Sequence, residues 1–589
     1  MKLLWWTKKQ CPNNERENIV FECPSSSRRY QFVEVNASGE STMTTFPKRR
    51  IPPGVESRKQ MKTVSVPAHS LELSNIDSFT PHLKNVICLR HSSMRQIRGS
   101  SRKSNRSINL IVIPATLLKI DQFAFSHSKL KYVIFPRNAQ MQVVQQEAFF
   151  DSGRLHSLQV PPSIQTLGDL VFASSRIRFI SFPSTSKIKE IPTSAFQHCP
   201  NLFTIEFPAS VEIIGIRAFD RTKIKYITFP SDSNLRVIEQ SAFSSCSQLT
   251  SVEIPASTQI ISPCAFLGSS CSITFAPNAK LTTIGNQSFQ SCANLVSLVV
   301  PSSVKVVSNF AFSKSGLQFI TFGLKSALAK ISRGLFESCG KLVSIEIPTY
   351  VEEIDDRAFM KSSLQFITFA SDSRLKSIGE SAFEECRQLS SICFPSSLET
   401  IGKYAFTNSS ITSLDFNPNS ILRAIGKHAF QNCGHLSSLS LPSSLEVISK
   451  YTFFNSSLSK IEFASDSNLK IIHEKAFGDC RHLTCIEIPS SVEEIRDFAF
   501  RGSNLKSVVF SPDSKLRKIG NGAFQYCALE TITIPSSVQV IGNNSFANCL
   551  QLASFFVASD SNLQSVGLDV FQGCSHLQTI ESPIFLSIN

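Results

Sequence analysis

The most regular feature of the chain is a pattern of apolar positions that repeats about every two dozen residues. The dipeptide Ala-Phe, or a close variant, recurs twenty times, with 22 to 25 residues between successive phenylalanines. These phenylalanines occupy positions 125, 149, 172, 196, 219, 243, 266, 289, 312, 336, 359, 383, 406, 430, 453, 477, 500, 524, 546 and 571. A period of this length predicts a stack of similar coils, because a unit this short cannot bury its own apolar face.

A single repeat shows how the apolar positions are arranged within a coil. It reads Leu202-x-x-Ile205-x-Phe207-Pro208-x-x-Val211-x-x-Ile214-Gly215-x-x-Ala218-Phe219. The first part alternates apolar and polar residues, which predicts a short strand that the proline ends. The middle part predicts a bend or second strand, and the part ending at the phenylalanine predicts a short helical turn. We therefore expect an α/β-type repeat solenoid of about twenty coils, each 23–24 residues long.

The phenylalanines and cysteines fit the same arrangement. Stacked coils place each phenylalanine over the next, which accounts for 47 Phe against 7 Tyr and 2 Trp. The residue three positions after the phenylalanine alternates between Cys and Ser or Thr, so the unit of duplication is a pair of coils. Cysteines two coils apart are separated by about 10 Å, too far for a disulfide, so we expect buried free thiols. Two candidate pairs outside this row are Cys264 with Cys271 and Cys11 with Cys23.

Charge divides the chain into an N-terminal part and a nearly neutral remainder. Of the net charge of +14, residues 1–108 carry +11, with 19 Lys and Arg against 8 Asp and Glu. We expect residues 1–59 to be a basic, poorly ordered segment or a small extra element. Residues 60–108 are expected to form divergent capping coils, and residues 109–589 the solenoid. A solvated, partly disordered tail is favoured over contact with nucleic acid, acidic lipid or glycan, because the segment lacks regular aromatic interleaving and a known nucleic-acid motif.

No motif of catalysis, cofactor binding or metal binding stands out. The 11 histidines are scattered, and there is no P-loop, Gly-x-Ser-x-Gly or paired Cys-x-x-Cys motif. Acidic turns at Asp372, Asp466 and Asp513 supply one carboxylate per coil pair, which favours turn capping over cation binding. The chain is therefore expected to be a non-enzyme without cofactors. The sequence shows no signal peptide and no long apolar run, which indicates either a cytoplasmic protein or one whose leader lies outside the given sequence, in both cases without a transmembrane segment.

The outward positions of the predicted strands supply the candidate binding face. The residue before the central apolar position points away from the core, and in alternate coils it is aromatic: Tyr132, Phe179, Tyr226, Phe319 and Phe366, with Ser272 interrupting the series. Acidic residues run alongside at Glu206, Glu253 and Glu346. Exposed apolar stripes tend to mark interaction sites, so these eight residues form the predicted partner-binding face. The alternative is that a helix, a partner coil or lateral packing covers them.

The motif Leu-x-x-Ile-x-Ile-Pro-x-Ser-Val-x-x-Ile-Gly-x-x-Ala-Phe-x-x-Cys, clear in residues 342–386 and 483–527, resembles the Treponema-type leucine-rich repeat of BspA-like surface antigens. The resemblance covers residues 109–589 and, more weakly, 60–108. It departs from commoner leucine-rich repeats by placing proline, not asparagine, after the strand. It implies a secreted or cell-surface module that recognises or adheres to host matrix or cell-surface proteins. An intracellular protein-interaction scaffold is the alternative, and the ligand and oligomeric state stay open.

Overall fold

The computed structural model describes residues 93–99 and 108–581 and, further upstream, the backbone of six strands between residues 18 and 88. The chain divides into two compact units, Met1–Val211 and Glu212–Asn589. Each unit consists mainly of stacked coils whose strands are parallel, and the described residues form about 21 turns. The predicted solenoid is therefore confirmed.

Every complete coil contributes one long strand, on what we call the long-strand face. In the first unit these strands are Thr63–Val66, Asn85–Cys88, Leu110–Val112, Tyr132–Ile134, Ser157–Gln159, Phe179–Ser181 and Thr204–Glu206. In the second unit they are Tyr226–Thr228, Ser251–Ile254, Ser272–Phe275, Ser297–Val300, Phe319–Phe322, Ser344–Ile347, Phe366–Phe369, Ser391–Phe394, Ser413–Phe416, Ser438–Leu441, Lys460–Phe463, Cys485–Ile488, Ser507–Phe510, Thr531–Ile534, Ser554–Val557 and Thr579–Glu581. Prolines follow many of them and end the pairing, because proline has no N–H to donate.

A two-residue strand follows in each coil and builds the short-strand face. In the first unit these strands are Glu72–Leu73, Gln96–Ile97, Lys119–Ile120, Val143–Val144, Thr166–Leu167 and Glu190–Ile191. In the second unit they are Ile213–Ile214, Val237–Ile238, Ile260–Ile261, Thr283–Ile284, Val306–Val307, Lys330–Ile331, Glu353–Ile354, Ser377–Ile378, Thr400–Ile401, Ala424–Ile425, Val447–Ile448, Ile471–Ile472, Glu494–Ile495, Lys518–Ile519, Val540–Ile541 and Ser565–Val566. The last eleven of these form one continuous sheet.

The prediction of a helical turn around each phenylalanine is wrong, because none of the described residues lies in a helix. The residues two before and two after each phenylalanine have positive φ, as at Ser241 (56°) and Ser245 (57°) around Phe243. Alternate N–H groups also bond to the next coil, for example from Phe243 to the Ala265 carbonyl at 2.7 Å. A helix would need both right-handed φ angles throughout and those N–H groups for its own carbonyls.

The phenylalanines of the repeat form the centre of each unit, as the sequence predicts. In the second unit, consecutive rings from Phe219 to Phe546 stack with centroids 5.0–5.8 Å apart and planes within 17°. In the first unit, the rings from Phe125 to Phe196 stack at 5.3–5.5 Å. All are almost fully buried, which accounts for the high phenylalanine content.

The cysteine row lies beside the phenylalanines and consists of free thiols. All fourteen described cysteines are free, including Cys264 and Cys271, so that predicted pair is wrong. Cys11 and Cys23 lie outside the described residues. The Cys386 thiol donates to the Phe359 carbonyl of the preceding coil at 3.1 Å. The cysteine three positions after alternate phenylalanines therefore ties its coil to the previous one, as Cys433 and Cys480 also do.

The buried thiols are expected to resist alkylation in the folded protein. Burial raises the pKa of Cys386 to about 12, so almost none of it is thiolate at pH 8. Cys485 is exposed on a long strand and serves as the internal control. Treatment with iodoacetamide at pH 8, followed by peptide mass spectrometry, should label Cys485 rapidly and Cys386 only after denaturation. Equal labelling of both in the native protein would contradict the burial of the row.

The turns that follow many of the long strands are capped by serine. The Ser373 hydroxyl accepts the N–H of Leu375 at 3.4 Å, and the same bond occurs at Ser233, Ser467, Ser514 and Ser561. Asp372 accepts a bond from Thr349 of the preceding coil at 3.1 Å. Turn capping therefore accounts for the Ser-Asp-Ser sequences that follow these strands.

The N-terminal part contains a different element. Asn18–Glu22, Arg29–Val35 and Ser41–Pro47 form a three-stranded antiparallel sheet within the segment predicted to be either poorly ordered or a small extra element. Beyond them, Thr63–Val66 and Asn85–Cys88 pair in parallel, as strands of coils do. The basic residues 48–50 lie outside the described residues. The boundaries at residues 59 and 108 stay predictions.

Candidate partner-binding face

Alternation along each long strand decides which side chains reach the surface. In Phe366–Phe369 the first and third residues are exposed, while Ile367 between them is buried. Parallel pairing in register then places equivalent residues of neighbouring coils side by side, as with Phe319, Ser344 and Phe366. Since strands lie about 4.8 Å apart, residues two coils apart are separated by about 10 Å. The outward positions thus form rows across the coils.

In the first unit, the structure places Tyr132, Phe179 and Glu206 on this outer surface. Tyr132 is 47% exposed and Phe179 is 40% exposed. Phe179 pairs in register with Ser157 on one side and Thr204 on the other, and both of those neighbours are small.

In the second unit, the remaining candidates fall into two separate sheets. Tyr226 (45% exposed) and Glu253 belong to the sheet that includes Ser251–Ile254 and Ser272–Phe275. Phe319 (52% exposed), Glu346 and Phe366 (56% exposed) share the four-stranded sheet from Ser297–Val300 to Phe366–Phe369. The structure therefore brings one acidic residue and two phenylalanines together on adjacent strands. Whether these residues bind a partner stays a prediction.

Sequence reasoning missed the cations that cover some of these rings. Lys131 lies over Tyr132 at 4.9 Å, Arg178 over Phe179 at 5.6 Å, and Lys225 over Tyr226 at 5.3 Å, each measured to the ring centroid. In each case the cation immediately precedes the aromatic residue in sequence. The dipeptides Lys-Tyr and Arg-Phe were the available signal.

It also missed two apolar residues beside the phenylalanines. Val299 is 65% exposed, and Val296 is exposed just before the same strand, Ser297–Val300. Val300 pairs with Phe322, so this strand directly neighbours that of Phe319. The exposed apolar surface is therefore broader than the aromatic residues alone.

Comparison with known proteins places the chain in a family. The model of the BspA type leucine rich repeat region matches residues 80–190, 172–278, 269–374, 369–484 and 470–588, which together cover most of the chain. The chain belongs to the BspA-type leucine-rich-repeat family. No curated protein matches it in sequence.

Solved structures similar to this BspA-type protein include several bacterial leucine-rich-repeat proteins. A leucine-rich repeat protein from Bacteroides ovatus is 23% identical over 72% of this chain and 86% of its own, with a TM-score of 0.40. The Treponema pallidum leucine-rich-repeat protein is 22% identical over 41% of this chain and 80% of its own, with a TM-score of 0.21. The pneumococcal vaccine antigen PcpA is 14% identical over 94% and 99%, with a TM-score of 0.19.

The short-strand face of this BspA-type protein differs in chemistry from the long-strand face. The residue before each short strand alternates in charge over eight coils: Glu352, Lys376, Glu399, Arg423, Glu446, Lys470, Glu493 and Arg517. The Lys376 ammonium contacts the Glu352 carboxylate at 2.8 Å, and this contact lowers the pKa of Glu352. Neighbouring coils therefore neutralise each other along this row.

Within the part of the chain that the structure describes, no group of three or more His, Cys, Asp or Glu side chains is arranged to hold a metal ion. Nor do the described residues include a helix able to cross a bilayer.

Proposed function

We propose that this BspA-type protein is a non-catalytic protein-recognition module that binds partners through its long-strand face. The observation that carries the proposal is the sheet in which Phe319 and Phe366, each more than half exposed, flank the strand of Glu346. Large exposed rings on a rigid sheet supply contact area at little conformational cost. Aromatic residues of this kind are enriched at protein interfaces.

The short-strand face supports this assignment by contrast. Its positive and negative side chains alternate between coils about 5 Å apart. A charged partner would therefore gain little binding energy there unless it disrupted ion pairs such as that of Lys376 with Glu352. The long-strand face offers apolar surface together with exposed carboxylates such as those of Glu253 and Glu346.

Two settings fit this module. Adhesion at the cell surface, with host matrix or cell-surface proteins as partners, follows from resemblance to surface antigens. An intracellular scaffold is favoured by the fourteen free thiols, because free thiols persist best in a reducing compartment. Surface labelling of intact cells distinguishes the two settings.

Simultaneous replacement of Tyr226, Phe319 and Phe366 by serine is expected to abolish partner binding without unfolding the chain. Serine occupies the equivalent position in neighbouring coils, for example at Ser344 and Ser413, so the fold tolerates it. The measurement is parallel pull-down from cell extract and from host matrix, with wild type and variant compared and folding checked by circular dichroism.

The matched control replaces Leu324, Tyr350 and Leu568 by serine. These three apolar residues are exposed by 94%, 45% and 75%, respectively, and lie outside the long strands. The control should retain every partner that wild type captures. Unchanged binding by the long-strand variant, or equal loss in the control, would rule out the proposed face.

A further inference from the structure

The exposed aromatic residues of the long-strand face fall into two classes. Tyr132, Phe179 and Tyr226 each carry a Lys or Arg from the preceding position over the ring. A cation over an aromatic face is stabilised by the negative potential of the ring. These three rings are thus already supplied with a cation by the chain itself.

Phe319 and Phe366 lack that internal cation. The preceding residues are Gln318 and Gln365, which are uncharged. Among the described residues, no Lys or Arg lies over either ring, although cations cover several other aromatic residues. They are also the two most exposed rings of the candidate face. Their ring faces are therefore available to a cation from outside the chain.

The surrounding surface has the charge that such a cation requires. Nine consecutive long strands, from Ser251–Ile254 to Ser438–Leu441, contain no Lys, Arg or His, and neither do the residues immediately before them. The same strands carry the exposed carboxylates Glu253, Glu346 and Asp415. In a chain of net charge +14, the strands of this cation-free region therefore carry only negative charge. A basic partner would be complementary to it.

The spacing of the two rings fits one charged side chain between them. Ser344 lies between Phe319 and Phe366 in register and is small, and Glu346 projects outward from the same strand. Neighbouring strands lie about 5 Å apart, so a cation held above Ser344 would be about 5 Å from the strand of Phe319 and from that of Phe366. That distance is within the roughly 6 Å reach of a cation–π contact. Glu346 would then supply the opposite charge.

We propose that Phe319, Glu346 and Phe366 form a subsite for an arginine or lysine side chain of a basic polypeptide partner. This inference rests on the proposed use of the long-strand face and specifies the partner's chemistry. Arginine fits best, because its planar guanidinium stacks on aromatic rings and pairs with carboxylates. The further carboxylates at Glu253 and Asp415 would contact additional basic residues of the same segment.

The test uses the full chain and a synthetic peptide of alternating glycine and arginine, with a glycine–glutamate peptide as the charge-reversed probe. Wild type should bind the arginine peptide and not the glutamate peptide in isothermal titration calorimetry. The double variant Phe319→Ser with Phe366→Ser should weaken arginine-peptide binding by about tenfold, from the loss of two cation–π contacts. Glu346→Gln should weaken it by several-fold, because its carboxylate charge is lost.

Val509→Ser is the matched control, since Val509 is an exposed apolar residue of a long strand outside the cation-free region. It should bind the arginine peptide as wild type does. Equal affinity of wild type and the double variant, or equal binding of the glutamate peptide, would overturn the subsite. If the long-strand variant loses the partners that wild type captures but the arginine peptide does not bind wild type, only the proposed subsite fails. If the double variant loses affinity for the arginine peptide while the long-strand variant still captures every partner, only the proposed recognition function fails.

Discussion

Replacing Phe359 by alanine is expected to lower the free energy of unfolding by about 3–5 kcal/mol. The ring is fully buried and lies between Phe336 at 5.3 Å and Phe383 at 5.1 Å. Alanine would lose these contacts and leave a cavity that two rigid neighbouring coils cannot fill. Denaturant unfolding followed by circular dichroism measures the loss.

Phe366→Ala is the matched control for this prediction. It removes the same side chain seven positions later, where more than half of it is exposed. Its effect on the free energy of unfolding should stay within about 0.5 kcal/mol. Equal losses in the two variants would mean that the stacked rings do not stabilise the coils. A greater loss for Phe359→Ala should also appear as faster proteolysis of the neighbouring coils, because each coil depends on those beside it.

Replacing Gly402 by alanine is expected to cost about 1–3 kcal/mol, because the added methyl group overpacks the contact between two coils. Gly402 follows the short strand Thr400–Ile401, and its backbone rests on Gly379 of the preceding coil. A Cβ at Gly402 would lie 2.6 Å from the Gly379 carbonyl carbon and 2.8 Å from the Ile378 oxygen. Backbone atoms cannot rotate away from this clash, so the coils must separate.

Gly434→Ala provides the comparison, because a Cβ there meets nothing within 4 Å. That variant should match wild type or gain slightly in stability, since alanine restricts the unfolded chain more than glycine does. Comparing the thermal unfolding of the two variants distinguishes the effect of the close backbone contact at Gly402 from a general effect of adding a methyl group. A destabilisation of Gly434→Ala equal to that of Gly402→Ala would contradict the close approach.

The repeat period made the coils, the long strands and the phenylalanine stack predictable. A fixed spacing of apolar residues forces equivalent positions of successive coils together, whatever the local conformation. The segment around each phenylalanine was not predictable in the same way. Its apolar spacing is compatible with a helix. The positive φ angles fall on residues of varied type, such as Lys361, Asn432 and Tyr451, so residue type alone does not predict them. None of the described residues with positive φ is Val, Ile or Thr, which is the weak signal that was available.

The candidate face was predictable in position but not in chemistry. Alternation along the strands was sufficient to put Phe319, Phe366 and Glu346 on the surface. The covering of Tyr132 by Lys131 depends on side-chain direction, which residue spacing does not specify. The division of the long strands into separate sheets is likewise not specified by the repeat spacing. The cations over Tyr132, Phe179 and Tyr226 distinguish these rings from Phe319 and Phe366.

Site-specific photo-cross-linking tests the proposed binding face most directly. Benzoylphenylalanine introduced at Phe366, on the long-strand face, is compared with the same residue at Lys470, beside the short strands. Both variants are irradiated with the partners recovered in the pull-down. We predict a cross-linked product from position 366 and none from position 470. A product from position 470 alone would show that partners bind the short-strand face and would contradict the account.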